Sequence, residues 1–250
     1  MRRIVAFSCE GDQLVATVDE AAGATGVLIV SGGNEVRCGA HRGMALLAGR
    51  LAAAGVPVFR FDRRGIGDSE GENRGYAASG PDLAAALAAF RCEQPQVAQI
   101  VGFGNCDAAS ALALHDTGCN ALVLANPWLG DEGAPLPPAA LRRHYLRRMR
   151  SLAAWRRGLA RLSSVFALAR AALGKSAEQP LARQIAQALG HRPTTIVLAS
   201  GDRTAQVFAA AVRPPLGVAV VKVHTASHSF AGQDHALERI VLQAVKAASL

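Results

Sequence analysis

Gln99-Ile100-Val101-Gly102-Phe103-Gly104-Asn105-Cys106-Asp107-Ala108-Ala109-Ser110 is the stretch from which the fold of this chain is read. Residues 97–102 form a short apolar run suited to a buried strand, and residues 106–115 read as a helix directly behind it. Between the two lies a small–x–Cys–x–small pattern, with Gly104 and Ala108 two positions either side of Cys106. A nucleophile at a sharp strand-to-helix turn adopts a strained backbone, and its neighbours two residues away must be small. The helix that starts there directs the positive end of its dipole at the thiol and favours the thiolate. The backbone N–H of Asp107 would then face a developing oxyanion.

Outward from this turn the same rhythm recurs. Residues 12–18, 26–30, 56–61, 120–124, 194–199 and 218–223 read as strands. Residues 41–54, 81–90 and 236–248 read as helices, the first closing at Gly55. Strands and helices alternating at this spacing predict an α/β fold, a mostly parallel, doubly wound sheet covered on both faces. A chain of 250 residues, half of them apolar and 18% charged, suits one large domain with a sizeable core. Residues 141–170 interrupt the rhythm. Within them Leu152, Trp155, Leu159, Leu162, Phe166 and Ala169 keep helical spacing on one face. The expectation is a core of residues 1–127 and 193–250, with a helical lid over about 128–192.

That insertion is also where the charge lies. It holds twelve Arg or Lys and three acids, a local +9, whereas the rest of the chain sums to −1 of the overall +8. Such a charge run is ordinarily a solvated face. Its concentration also suits an anionic partner such as an acyl carrier, a phosphorylated glycan lipid or a membrane surface. Nucleic acid is not expected, because no aromatic residues interleave with the arginines and no reader motif is present. The opening residues 1–10 start like a signal peptide, but the apolar run is only four residues long before Glu10-Gly11-Asp12. No stretch reaches the roughly 18 uncharged apolar residues of a membrane span. The cysteines, Cys9, Cys38, Cys92, Cys106 and Cys119, are odd in number and lack metal or disulfide spacing. Reduced thiols in the cytoplasm, with no metal and no cofactor, are the expectation. Gly102-x-Gly104-x-x-Asp107 is only part of a dinucleotide fingerprint: the third glycine is missing, and Asn126 stands where an acid would hold a ribose.

The partners of Cys106 follow in the order nucleophile, acid, base. Asp202 lies just beyond the strand at 194–199, and His228 just beyond that at 218–223. Strand C-terminal ends are where open α/β sheets place ligands and catalytic groups. The imidazole would activate the thiol and the carboxylate would orient the imidazole. His224 and His235 remain alternatives to His228, and Asp202 also has the simpler reading of a local cap. A second oxyanion donor is expected from Gly32, Gly33 or Asn34 after the strand at 26–30. His41 and Arg42 open a helix near the expected pocket and suit a substrate carboxylate or phosphate, or a plain surface role. Cys106 alone would read as an inert buried thiol. Residues 62–69 read as a structural turn.

Together, the Asp62-x-Arg64-Gly65-x-Gly67-x-Ser69 turn, the cysteine elbow, and the Asp202 and His228 positions resemble the α/β-hydrolase fold over nearly the whole chain. More narrowly, the chain resembles the exosortase A system-associated hydrolase 1 family. The residues that carry this are Gly39-Ala40-His41-Arg42, Arg60-Phe61-Asp62, Gly67-Asp68-Ser69-Glu70-Gly71, Cys106-Asp107-Ala108-Ala109-Ser110 and Asn126-Pro127-Trp128. Proteins of that family accompany bacterial exopolysaccharide and protein-sorting gene clusters. Asn105, where related chains often carry a larger apolar residue, and Ser31-Gly32-Gly33-Asn34, which differs from a lipase His-Gly motif, depart from the pattern. The resulting expectation is an ester or thioester hydrolase working through a cysteine acyl-enzyme on a small-molecule or carrier-linked acyl substrate. An acyltransferase using the same triad is the first alternative. A non-enzymatic docking protein presenting the basic segment is the second.

Overall fold

A computed structural model of the chain describes residues 1–130 and 180–249. Its centre is a sheet of eight strands: β1 (Arg2–Cys9), β2 (Asp12–Asp19), β3 (Thr25–Val30), β4 (Val58–Phe61), β5 (Gln99–Asn105), β6 (Ala121–Ala125), β7 (Thr194–Ala199) and β8 (Ala219–Val223). Their order is β1-β2-β4-β3-β5-β6-β7-β8. β2 runs antiparallel to β1 and β4, and every pair from β4 to β8 is parallel. This is the mostly parallel α/β sheet expected from the alternation of elements.

The strand sequences explain why the sheet is covered on both sides. Along β3, Val27 and Ile29 point to one face, while Leu28 and Val30 point to the other. All six residues of β3 are buried, as a strand needs when helices cover both faces. Helices α1 (Gly43–Ala53) and α6 (Asp234–Ala248) bury Leu47, Leu51, Ile240 and Val241 on the Val27 side. Helices α2 (Gly80–Glu93), α3 (Asp107–Leu114), α4 (Pro180–Ala188) and α5 (Arg203–Ala211) cover the Leu28 side with Leu83, Phe90, Leu112, Ile185 and Phe208. Each such fully buried side chain contributes about 1.5–3 kcal/mol of transfer free energy.

Three features differ from the sequence reading. Residues 2–9 form an edge strand paired with β2, which their composition hid: Ile4 is exposed and Arg3 half-buried, so polarity does not track the two faces. Helix α5 begins immediately after Asp202, whose side chain caps it. Residues 180–192, grouped with the lid by charge, pack into the main core through Ala182, Ile185 and Leu189. The expected lid helix at 152–170 lies outside the described residues. Among the described residues, no helix is long and apolar enough to cross a membrane.

The 62–69 turn is a structural hub. Fully buried Asp62 accepts from the backbone and guanidinium of Arg37, and its carbonyl accepts from Ser69 Oγ at 2.7 Å. Arg64 is held by Asp82, through its backbone N–H at 3.0 Å and its Nε at 2.6 Å.

Candidate active site

Cys106 follows the last residue of β5 and precedes the first of α3, with φ 62° and ψ −126°. A non-glycine residue held there costs about 1–3 kcal/mol and persists only where its surroundings enforce it. They do so here. The Cys106 N–H donates to the Ala125 carbonyl at 3.0 Å, and its own carbonyl accepts from Ala109 at 3.1 Å and Trp128 at 3.2 Å. The turn is tight enough that a Cβ on Gly104 would lie 2.8 Å from the backbone of Ala108 and Ala109. No side chain caps α3, and the Asp107 N–H donates to no acceptor among the described residues.

The structure brings His228 and Asp202 to the same place. His228 Nδ1 lies 3.1 Å from Asp202 Oδ1. The Asp202 carboxylate, followed by the Cys106 sulfur, outweighs burial and raises the His228 pKa to about 10. Burial alone would push Asp202 up, but the imidazole and the N–H groups of Ala205 and Thr204 hold it below the usual carboxylate range. The two other histidines considered lie apart: His224 is exposed, and His235 sits on α6 against Glu238 at 3.2 Å.

The four expected oxyanion donors divide. Gly32 lies against the elbow: a Cβ there would come 2.3 Å from the Asn105 carbonyl and 3.2 Å from Cys106 Cβ. Its N–H has no acceptor among the described residues. The N–H of Gly33 is already donated to the Asp107 carboxylate, so in this arrangement Gly33 is not a free donor. Arg63 completes that clamp, with Nη2 donating to Asp107 Oδ2 at 3.0 Å and to the Gly33 carbonyl at 2.8 Å. Asn34 turns its side chain to Asn73, 3.0 Å away. His41 and Arg42 are exposed, with left-handed φ of 52° and 60° just before α1, and His41 is near enough to Glu35 to lower its pKa.

Glu35, Arg63 and Asn126 belong to this neighbourhood but escaped the sequence reading. Glu35 is half-buried; burial raises its pKa, opposed by the Ala40 backbone and by His228, while Asp107 adds to the rise. Nothing local in its sequence marks it, whereas Arg63 lay within a recognisable turn and Asn126 at a strand end. The cluster stands apart from a cavity of about 940 Å³ between α3 and α4, lined in part by His115, Asp116, Gln184 and Arg192. Among the described residues, no group of three or more His, Cys, Asp or Glu is arranged to hold a metal ion.

A strained elbow after β5, an acid after β7 and a histidine after β8 bear directly on the comparison with known families. The model of the alpha/beta hydrolase family matches residues 27–242. This chain belongs to that family. Among solved structures, alpha/beta hydrolase GrgF from Penicillium sp. sh18 superposes with TM-score 0.67 at 18% identity, covering 99% of both chains. Esterase Pf2001 from Pyrococcus furiosus gives 0.65 at 15% identity, over 99% of this chain and 92% of that one. The thioesterase domain from the curacin biosynthetic pathway gives 0.59 at 16% identity, over 97% and 99%. At these identities the likeness is one of fold. No curated protein gives a significant match.

Proposed function

We propose that this member of the alpha/beta hydrolase family cleaves an ester or thioester through an acyl-enzyme on Cys106. The observation that carries the reading is the strained Cys106 elbow facing a histidine that is paired to Asp202. His228 takes the thiol proton, and the sulfur attacks the acyl carbonyl to form a C–S bond. The N–H groups of Asp107 and Gly32 face the resulting oxyanion. Collapse breaks the bond to the leaving alkoxide or thiolate, which receives the proton from His228. Water, deprotonated by His228, then attacks the acyl-cysteine, and the acid leaves as Cys106 departs as thiolate. Similarity in fold to proteins described as an esterase and a thioesterase domain supports this reaction class.

An acyl-cysteine is itself a thioester and passes its acyl group to a hydroxyl as readily as to water. Acyl transfer to a glycan or carrier is therefore the second reading, on the same triad. The resemblance to the exosortase-associated family supports a place for either activity in exopolysaccharide or protein-sorting systems, and the scattered, unpaired cysteines support the cytoplasm. We further propose one domain, with the segment outside the described residues acting as a basic lid that receives an anionic partner.

Turnover of acyl p-nitrophenyl esters and acyl thioesters by wild type and Cys106→Ala tests the reading. Wild type should turn over, or release one burst of product, and Cys106→Ala should lose about 10⁴-fold or more. Equal activity in both proteins overturns Cys106 as nucleophile.

A further inference from the structure

We infer that Asn126 is a positioning residue: its buried side-chain amide locks together the separate loops that deliver His228 and Asp202 to Cys106, and Asn105 supports it on the same carbonyl. The inference rests on the acyl-enzyme reading above. The three residues arrive from different strands, β5, β7 and the loop after β8, and His228 lies five residues beyond the end of β8. Sheet hydrogen bonds alone do not hold a side chain that far out.

Asn126 supplies the missing connection. Its Nδ2 donates to the His228 carbonyl at 3.0 Å, and its Oδ1 accepts from the Ala199 N–H at 2.9 Å at the end of β7. The Ala199 carbonyl in turn accepts the Asp202 N–H at 3.0 Å. The amide orientation follows from the partners, since a carbonyl only accepts and a backbone N–H only donates. The backbone is engaged too: the Asn126 N–H donates to Val197 at 2.8 Å, while the preceding residue, Ala125, accepts from Cys106 at 3.0 Å. One residue therefore spans the strand ends behind all three groups. Its φ of 42° lies in the left-handed region, which asparagine tolerates better than most side chains.

Asn105, adjacent to the thiol, donates Nδ2 to the same His228 carbonyl at 3.3 Å. Its Oδ1 is buried with no partner among the described residues. An unsatisfied buried acceptor is a cost to stability. An apolar side chain would avoid it, so the benefit of asparagine here lies in the bond to the His228 loop. Around the imidazole itself, Asp202, Cys106 and Glu35 are the titratable groups.

The test compares wild type, Asn126→Asp and Asn105→Ala. Asn126→Asp keeps the acceptor for Ala199 and removes the donor to His228; Asn105→Ala removes one donor without burying a charge. For each protein, alkylation of Cys106 by iodoacetamide is followed from pH 5 to 9 by mass spectrometry, together with kcat, KM and Tm. Asn105→Ala should fold with a similar Tm, lose about tenfold in kcat at unchanged KM, and shift the Cys106 alkylation profile toward that of exposed Cys92. Asn126→Asp should lose about 10- to 100-fold. Unchanged kcat and alkylation profile in Asn126→Asp, or in Asn105→Ala should Asn126→Asp not fold, would overturn the inference whatever the Tm. Wild-type Cys106 alkylating no faster than Cys92 would instead overturn the acyl-enzyme reading itself, and the inference with it.

Discussion

Asp202 does two jobs with one carboxylate: Oδ2 caps α5 by accepting from Ala205 at 2.9 Å, and Oδ1 meets His228. The two are separable by substitution. Asp202→Asn keeps a capping oxygen and should hold Tm within a few degrees while lowering kcat by about 10²-fold or more, through a misoriented imidazole. Asp202→Ala should lose the same activity and, in addition, about 1 kcal/mol of stability measured by urea unfolding. The His228 proton gives a pH signature of known sign. Its pKa rises from 6.5 to about 10, so the stabilisation it provides is complete below pH 6.5 and disappears as pH climbs toward 10. Wild type should therefore lose more Tm than His228→Gln between pH 7 and pH 10.5. A parallel decline in both proteins would show that the imidazolium contributes nothing.

At the level of elements, the elbow depends on β5 and α3 meeting at a very short distance. Gly104→Ala would place a methyl 2.8 Å from the α3 backbone, and backbone cannot move aside as a side chain can. The helix must shift, at a cost of about 1–3 kcal/mol, and Cys106 should lose reactivity along with stability, read by urea unfolding and alkylation of one sample. Arg63 works between elements in a different way, pinning the loop after β3 to the first residue of α3 through Gly33 and Asp107. This arrangement was partly legible beforehand. Gly104, Cys106 and Ala108 announce a sharp turn because the requirement for small neighbours is local. The commitment of Gly33 to Asp107 is not local, since 74 residues separate the two, and no pattern in either segment signals it.

Across the whole molecule, charge and fold are divided. The described sheet and its helices form the framework, while ten of the chain's 27 Arg and Lys fall in residues 131–179, outside the described residues. If that segment recruits an anionic carrier, turnover of carrier-linked acyl thioesters should fall steeply between 50 and 500 mM salt. Turnover of small neutral esters should stay flat over the same range, and equal salt responses would remove the docking role. What the chain determined by itself was the alternation of strands and helices, the elbow, and the placing of Asp202 and His228 after strands, all products of short-range periodicity and turn chemistry. Only the tertiary structure decided that His228, not His224 or His235, meets Asp202. It also decided that Arg2–Cys9 is an edge strand, that Glu35 acts on His228, and that Asn105 and Asn126 hold the His228 carbonyl. The reason is physical: sheet order brings together residues separated by a hundred positions or more, and which polar groups then pair depends on burial that no local stretch encodes.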